Sequence, residues 1–598
     1  MKQTQEAEGI QGGKWDLSDL YKGSEDPMLF EDLQESWQEA KEFQKLYQER
    51  EAGALSASEF FQALKKYESI LEAGMKPFLY ASLLFAEDSG DPRYKALMEQ
   101  TKERWNELET QLLFFRLAII GLSEERLVSF LQYEPIQAYA HVLQYLRRFR
   151  DFTRSQKEEE IIHRKNLTGR LAFTTLFDEF TGSFVFRLLV DDEEKELTGS
   201  EMLAKLYSPD LELRERALRT FLQHYERNRL VFTSIFNALL LDSRVEDDLR
   251  GYSSPMHRTH LENEIHPETV ERMMQVTAGH YFLAREYFHL KARLFALPKL
   301  KNTDLYAPYP GGGKELLFQE TQSLLVDSFG QFHPLFGEIA QKFFKKHWMD
   351  TEVRTGKYGG AFCSGLTPSL HPYLLINFSG NFRDALTLAH EMGHAIHFYL
   401  ARKQTLLNFD PPLPLAETAS VFGEMIMIHA LMEKEQEVKI RQALLGAEIE
   451  DIIATVFRQD VLTRFEREAH ERRRDHFLTG EEIGEVWWQA NLRLFEESVE
   501  MIPEYRWGWS YISHFIHSRF YCYSYIFGEL VALSLFQKYR EEKDSFLPAL
   551  IRLLESGSSR SLDDLLSQVG LDIHHDDFWE NGFKVLRGLI EELKSLGP

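Results

Sequence analysis

One five-residue pattern, His390-Glu391-Met392-Gly393-His394, constrains this chain more than any other stretch. Residues four apart on a helix lie one turn above each other, so His390 and His394 can offer two imidazole nitrogens to one metal ion. Glu391 then projects beside the metal, where its carboxylate can accept a proton from a water molecule. The spacing therefore predicts a helix that carries a catalytic metal site.

The residues around this pattern favour a helical setting. Segment 372–378 is apolar, aromatic and β-branched, which predicts a strand that ends at residues 379–380. Apolar residues recur at helical spacing through 384–398, so the pattern lies on a predicted helix. The alternative is a pair of histidines that are satisfied in a helical core, with an exposed Glu391 between them.

Two histidines leave a zinc site incomplete, because a catalytic zinc generally takes three protein ligands and keeps a fourth position open for water. Another apolar helix is predicted to start at residue 415, after a proline-rich break. Glu417 and Glu424 are seven residues apart, which places both on one helical face. We expect Glu417 to be the third ligand and Glu424 to orient a liganding imidazole. Alternatively, one or both carboxylates form salt bridges with arginines such as Arg458.

The length of 598 residues exceeds the size at which one hydrophobic core keeps growing, so we expect two lobes. Apolar residues at three- and four-residue spacing through about 29–160 predict successive helices. Near 183–190 the period changes, and the acidic turn 191–194 indicates a hairpin. Helices resume at residue 200, which we take as the boundary between an N-terminal helical lobe, 1–200, and a zinc-binding catalytic region, 201–598.

Charge and composition argue against several classes of partner. Lys+Arg 69 against Asp+Glu 94 gives a formal net charge of -25, which opposes binding to nucleic acid or to an anionic membrane. The N-terminus lacks the apolar core of a signal peptide, and no run reaches the length needed to cross a bilayer, so we expect no membrane partner. Two cysteines in so long a chain exclude a disulfide framework and favour a cytoplasmic location.

Four sequence features together resemble the oligoendopeptidase F branch of the thimet oligopeptidase family of zinc metallopeptidases. They are His-Glu-Met-Gly-His-x-x-His from residue 390, Ala-Glu-Thr-Ala-Ser from 416, Trp-Asp-Leu-x-x-Leu-Tyr from 15 and Arg-Gly-Tyr-Ser-Ser from 250. The resemblance extends over nearly the whole chain. It implies a mainly α, two-lobed helical metallopeptidase around a deep substrate channel, with a small β-sheet next to the zinc helix.

The resemblance also implies roles for individual residues. The Glu of the Ala-Glu segment is the third zinc ligand in such enzymes, matching Glu417, and a second Glu seven residues on supports the site, matching Glu424. An edge strand just upstream of the zinc helix pairs with the substrate backbone. By that match, the substrate-binding residues here are Tyr373, Leu374 and Ile376.

A second cluster of histidines and aromatic residues lies further along the chain. Peptide hydrolysis passes through an anionic tetrahedral intermediate, which His or Tyr donors stabilise. The family segment carries a His and then tyrosines that contact substrate and transition state, matching His514 and Tyr525. His517 stands where a Tyr is expected, so His514, His517 and Tyr525 all remain candidates for the oxyanion donor. Tyr521 and Tyr523 are candidates for substrate contact, although packing is the simpler role for both.

These features predict a zinc-dependent endopeptidase that hydrolyses internal bonds of short oligopeptides. One Zn²⁺ would be held by His390, His394 and Glu417, with Glu391 as general base. Two alternatives stay open: an exopeptidase of the peptidyl-dipeptidase type, and a non-catalytic peptide-binding relative. The sequence leaves the oligomeric state open between monomer and homodimer.

Overall fold

The structure is a computed structural model that describes residues 12–50, 52–312 and 316–597. Helices account for most of the described residues, and the strands are short. The mainly α class predicted from the sequence is therefore confirmed.

The helices are numbered α1 to α26 in chain order. From the N-terminus to residue 294 they are α1 Pro27–Tyr47, α2 Ala57–Glu87, α3 Pro92–Ile120, α4 Glu124–Leu131, α5 Ala140–Arg147, α6 Gln156–Thr168, α7 Arg170–Gly182, α8 Gly199–Ala204, α9 Leu211–Arg227, α10 Arg229–Arg250, α11 His257–Asn263, α12 Pro267–Gly279 and α13 Tyr281–Leu294. The remaining helices are α14 Phe318–Phe332, α15 Pro334–Lys345, α16 Phe382–Ala401, α17 Leu413–Ala416, α18 Thr418–Lys434, α19 Val438–Ile452, α20 Gln459–Arg473, α21 Gly480–Phe495, α22 His514–His517, α23 Cys522–Glu542, α24 Leu547–Glu555, α25 Leu562–Gln568 and α26 Asp576–Ser595.

The strands of the described residues form three small sheets. They are β1 Phe186–Val190, β2 Glu193–Leu197, β3 Leu300–Lys301, β4 Met349–Asp350, β5 Phe362–Ser364, β6 Tyr373–Leu375 and β7 Val499–Glu500. β1 and β2 pair antiparallel, which confirms the predicted hairpin. Its turn residues Asp191 and Asp192 have φ of 53° and 63°, values that aspartate tolerates in tight hairpin turns.

The chain folds into two compact units, each assembled from three segments. Unit 1 comprises Met1–Gln156, Lys314–Leu431 and Lys538–Asp572. Its helices α1 to α5 pack around a hydrophobic core in which Phe60 and Phe130 are fully buried and stack at a centroid distance of 4.3 Å. Unit 2 comprises Lys157–Gly313, Met432–Gln537 and Ile573–Pro598. Phe465 of α20 and Trp487 of α21 pack edge to face at 5.3 Å within its core.

The unit borders differ from the single boundary that we predicted at residue 200. Within unit 1, segment 314–431 joins the N-terminal segment through backbone hydrogen bonds, such as Thr351 N to Gly13 O at 3.0 Å and Ser89 N to Gly356 O at 2.7 Å. Helical periodicity identifies a buried face but not the distant segment that covers it. The sequence pattern therefore could not predict that each unit is assembled from segments far apart in the chain.

One segment, Leu413–Lys434, is long and apolar enough to cross a membrane by length and composition, contrary to our prediction that no run would be. It comprises α17, Glu417 and α18, and 67% of its most apolar window is buried inside the protein. The core helix of a soluble protein passes the same test, so this composition is weak evidence for a membrane span.

Candidate metal centre

Helix α16 carries the first two candidate ligands, His390 and His394. The helix begins with a capping box, in which the Asn381 side chain accepts from the Asp384 backbone N–H and the Asp384 carboxylate accepts from the Asn381 backbone N–H. The helix spans 382–401, slightly longer than the predicted 384–398. The two imidazole rings lie one turn apart, with centroids separated by 4.9 Å.

Glu417 supplies the third candidate ligand from the junction between α17 and α18. Its Oε2 lies 3.5 Å from His390 Nε2 and 3.3 Å from His394 Nε2. The hydroxyl of Ser420 lies 3.0 Å from the same oxygen and 2.7 Å from the Glu417 backbone carbonyl oxygen, so its one proton is shared between these two acceptors. The structure thus brings together the three residues that the sequence predicted as metal ligands.

This set of donor atoms fits zinc. Two imidazole nitrogens and one carboxylate oxygen are a known catalytic zinc set, and all three atoms lie within 4.8 Å of one another. Ligands about 2.0–2.1 Å from a tetrahedral zinc lie about 3.3 Å from each other. The distances of 3.3 and 3.5 Å from Glu417 Oε2 to the histidine nitrogens match that separation.

Glu424, in the second turn of α18, contacts the ring of His390 at Nδ1, the nitrogen that faces away from Glu417. His390 Nδ1 lies 2.8 Å from Glu424 Oε1, which leaves Nε2 directed toward Glu417. Burial of the ring lowers the His390 pKa, but the carboxylates of Glu424, Glu417 and Glu391 outweigh it and raise that pKa to about 10. Glu424 therefore has the contact expected of a residue that orients a liganding imidazole.

Glu391 and Glu417 have opposite pKa shifts, although both are carboxylates of the same centre. Burial raises the pKa of Glu391, whose exposed fraction is 7%. Burial also raises that of Glu417, but the His394 hydrogen bond and the two imidazoles outweigh it and lower the pKa to about 2. Glu417 is thus held ionised as a ligand, whereas the raised pKa of Glu391 makes its carboxylate a better proton acceptor than an ordinary glutamate.

Two glycines to which the sequence analysis gave no role allow helices α16 and α18 to approach each other closely. A Cβ at Gly393 would lie 2.2 Å from the backbone oxygen of Ala419, and one at Gly423 would lie 2.5 Å from that of Ala389. Each glycine faces the backbone of the opposite helix, so α16 and α18 cross without intervening side chains. The signal in the sequence was a glycine inside each apolar helical pattern.

The prediction of an edge strand upstream of the zinc helix is wrong. β6 is the central strand of the sheet, parallel to β4 and antiparallel to β5, so its backbone is paired on both sides. Tyr373, Leu374 and Ile376 are almost completely buried, and the Tyr373 hydroxyl donates to the Asp16 carbonyl. These three residues therefore serve the core of unit 1 rather than direct substrate contact, and β5 is an outer strand.

The second cluster lies in unit 2, where the structure brings His514, Tyr521 and Tyr525 together. His514 Nε2 lies 3.4 Å from the Tyr525 hydroxyl, and the rings of Tyr521 and Tyr525 are 5.1 Å apart. Burial lowers the pKa of His514, with a further contribution from His517. A neutral His514 ring retains one N–H donor.

Two residues predicted for this cluster have other partners. His517 Nε2 lies 3.0 Å from Asp178 Oδ1, so this nitrogen is already engaged. Tyr523 has no exposed surface, and the Asn263 side-chain amide donates to its hydroxyl at 2.8 Å. The prediction of substrate contact by Tyr523 is therefore wrong, because its side chain is part of the core.

Comparison with known proteins places these features in a family. Residues 318–585 match the model of Peptidase family M3, and residues 119–186 match the model of Oligopeptidase F. Oligopeptidase PepF of Bacillus subtilis is 23% identical over 589 residues, covering 96% of this chain and 87% of that protein.

Solved structures share the fold. A Chlamydophila abortus protein aligns with a TM-score of 0.84 at 22% identity, covering 98% of both chains. The oligoendopeptidase-F of Enterococcus faecium aligns with a TM-score of 0.73 at 22% identity, covering 95% of this chain and 98% of that one.

Proposed function

Since the chain belongs to peptidase family M3, in its oligoendopeptidase F branch, we propose that this metalloendopeptidase is zinc-dependent and hydrolyses internal bonds of short oligopeptides. The observation that carries the proposal is the cluster of His390, His394 and Glu417, with the buried carboxylate of Glu391 next to His390 on the same helix. A zinc ion bound there supplies Lewis-acid polarisation of a carbonyl and lowers the pKa of water.

In this proposal, residues of the chain carry out proton transfer, ligand orientation and oxyanion binding. Glu391 accepts a proton at its carboxylate from the attacking water and passes it to the leaving nitrogen. Glu424 orients the His390 ring through Nδ1, and the Ser420 hydroxyl contacts both the backbone carbonyl and the carboxylate of Glu417. His514 and Tyr525 are our proposed donors to the oxyanion; His517 is a weaker candidate, because its Nε2 contacts Asp178.

We also propose a cytoplasmic location. Both cysteines, Cys363 and Cys522, are unpaired thiols, which accords with a reducing compartment. Peptides that arise in that compartment would be the substrates.

Replacing Glu391 with Gln tests the general-base assignment. The amide keeps the shape of the side chain but cannot accept the proton, so we expect turnover of a fluorogenic oligopeptide to fall about 10²–10⁴-fold. Zinc content, measured by atomic emission, should stay equal to that of the unchanged protein. Glu433→Gln, an exposed position on α18, is the control. Wild-type turnover in the Glu391→Gln protein would disprove the role.

Blocked peptides separate the proposal from its two alternatives. An endopeptidase cuts oligopeptides that are acetylated at one end and amidated at the other, whereas a peptidyl-dipeptidase requires a free C-terminus and releases dipeptides. Mass spectrometry of the products, with and without a chelator, identifies each cut. Stoichiometric zinc with no cleavage of any peptide would favour the non-catalytic relative.

A further inference from the structure

An N-terminal segment, residues 12–21, runs alongside the small sheet of unit 1. The backbone N–H of Thr351 donates to the Gly13 carbonyl at 3.0 Å, and the Asp16 N–H donates to the His347 carbonyl at 2.7 Å. Because 13 pairs with 351 and 16 with 347, the segment is antiparallel to the chain around β4. β4 is an outer strand of its sheet, so the segment supplies pairing that the other two strands do not.

Trp15 lies in this segment and packs its indole against both β5 and β6. The ring is edge to face with Tyr373 of β6 at a centroid distance of 6.1 Å, and it is tilted against Phe362 of β5 at 6.4 Å. The indole N–H donates to Glu87 Oε2 at 3.1 Å, and the side chain is buried. One fixed ring thus spans the two strands.

The face of these strands that Trp15 contacts is not the face that carries Cys363 and Leu374. In an antiparallel pair, residues directly opposite each other share a face, and successive residues alternate between faces. The register sets Cys363 opposite Leu374, so Phe362 and Tyr373, one residue away on each strand, both point to the other face. The pair of strands therefore has one face toward Trp15 and a second face for another partner.

That second partner is helix α16. Both β5 and β6 pack against this helix. A Cβ at Gly365, the residue after β5, would lie 2.4 Å from the ring of Phe398 on α16, so the chain and the helix are in close contact here. Burial, and after it the carboxylate of Glu391, raises the pKa of the Cys363 thiol, which agrees with Cys363 facing the helix. The strands are thus held between Trp15 and the helix that carries the proposed general base.

Packing on both faces matters because the hydrogen-bond ladder of these strands is short. β5 and β6 have three residues each, and β5 bonds only to β6. A sheet this small is marginal in water unless its faces are packed. The position of β5 relative to α16 therefore depends on the side chain that packs on the opposite face, and Trp15 supplies that contact.

We propose that Trp15 is a positioning residue for the metal centre: by packing on β5 and β6 it keeps both strands against α16, beside Glu391. The inference rests on the proposed function, which makes Glu391 the general base. The zinc ligands have a separate support, because the crossing of α16 with α18 sets the distances between them. Loss of the Trp15 ring therefore impairs proton transfer at Glu391 while zinc stays bound.

Trp15→Ala tests this role. We expect kcat for a fluorogenic oligopeptide to fall about 10- to 100-fold, because a displacement of about 1 Å can cost about 100-fold even when the mutation is far from the chemistry. Zinc affinity, measured by competition with a chromophoric chelator, should equal that of the wild type. Trp15→Phe should retain most of the turnover, since its ring can still pack against Phe362 and Tyr373, although it cannot donate to Glu87.

Phe60→Ala is the matched control for lost stability. Phe60 is fully buried in the core of α1 to α5 of the same unit, so its removal should lower the Tm at least as much as Trp15→Ala and leave kcat of the folded protein unchanged. All assays run well below the Tm of each variant, measured by calorimetry. Wild-type kcat in Trp15→Ala, or an equal loss of kcat in Phe60→Ala, would overturn the positioning role, as would a loss of zinc that accounts for the fall.

A smaller change covers the case in which Trp15→Ala fails to fold by circular dichroism. Trp15→Leu then takes its place, and kcat should decrease from the wild type through Trp15→Phe to Trp15→Leu. Undiminished cleavage by every Trp15 variant would remove this inference and leave the proposed function intact. No cleavage of any peptide by the wild type would remove both.

Discussion

At the scale of single residues, the candidate metal centre depends on two carboxylates that contact different nitrogens of the histidines. Glu417 Oε2 lies within 3.5 Å of both Nε2 atoms, while Glu424 contacts only the Nδ1 of His390. Glu417 can therefore be a ligand, and Glu424 can set the tautomer and direction of a ligand. The seven-residue spacing placed both carboxylates near the centre, but their different tasks follow from which ring nitrogen each one meets.

Replacing Glu424 with Ala should weaken zinc binding about 10- to 100-fold, because the His390 ring loses the acceptor that orients it. Affinity is measured by competition with a chromophoric chelator. Glu433→Ala, at an exposed position on the same helix, should leave the affinity unchanged. Equal affinities for the two variants would contradict the orienting role.

Glu466 predicts a pH dependence of stability in unit 2. It is fully enclosed; burial raises its pKa to about 8, although the Phe520 backbone N–H donates to Oε1 at 2.9 Å and Arg519 and Arg170 lower the value. Because the folded-state pKa exceeds the unfolded one, the folded state holds the extra proton, and the free energy of unfolding should fall as pH rises toward 8.

The Glu466→Gln variant should lose most of that slope, since the amide oxygen still accepts from Phe520 and never ionises. Denaturant unfolding at several values between about pH 6.5 and 8.5 measures the slope. This window lies above the titration of the buried His470, whose pKa burial and nearby arginines lower, and below that of Cys522, whose pKa burial raises. Parallel slopes for the two proteins would rule out Glu466 as the source.

At the scale of secondary-structure elements, the crossing of α16 and α18 brings the ligands together. Gly393 and Gly423 each face backbone oxygen of the other helix, and backbone cannot move aside as a flexible side chain can. The distance from Glu417 to the histidines thus depends on two residues that carry no functional group.

Replacing Gly393 with Ala should separate these helices, lower stability by about 1–3 kcal/mol and weaken zinc binding. Gly279→Ala is the matched control, because a Cβ at the end of α12 meets nothing within 4 Å. Thermal unfolding and the chelator competition measure the two effects. Full zinc affinity in Gly393→Ala would show that the centre tolerates a wider crossing.

The small sheet β4–β6–β5 shows that a sequence pattern can predict a strand without predicting its position in the sheet. An apolar run predicts a buried strand, and β6 is one. Whether a strand is central or outer depends on its neighbours, and β4 and β5 are only two and three residues long. Such short segments have too little pattern to be recognised, and the edge position of the run was predicted from the family resemblance alone.

At the scale of the whole molecule, all candidate ligands belong to unit 1, on segment 314–431. Zinc should therefore stabilise the folded state of this unit, by about 2.7 kcal/mol when free zinc is 100 times its Kd. A chelator should lower the Tm of the wild type measured by calorimetry. The Glu417→Ala protein should already have the lower Tm and respond little to the chelator. An unchanged wild-type Tm would argue against a metal bound preferentially to the folded state.

The sequence by itself determined the mainly α class, the hairpin and the pairing of His390 with His394, because these spacings are local properties of the chain; Glu417 joined them because a catalytic zinc takes three protein ligands. The tertiary structure alone decided the pairing of β6 on both sides, the contact of His517 with Asp178 and the burial of Tyr523. It also decided the division into units of interleaved segments. Each of these depends on contacts between residues far apart in sequence, which periodicity does not encode. The motif His390-Glu391-Met392-Gly393-His394 shows the same division. Helical spacing predicts that its two histidines share a face, whereas a glycine is required at 393 because the backbone of α18 crosses there.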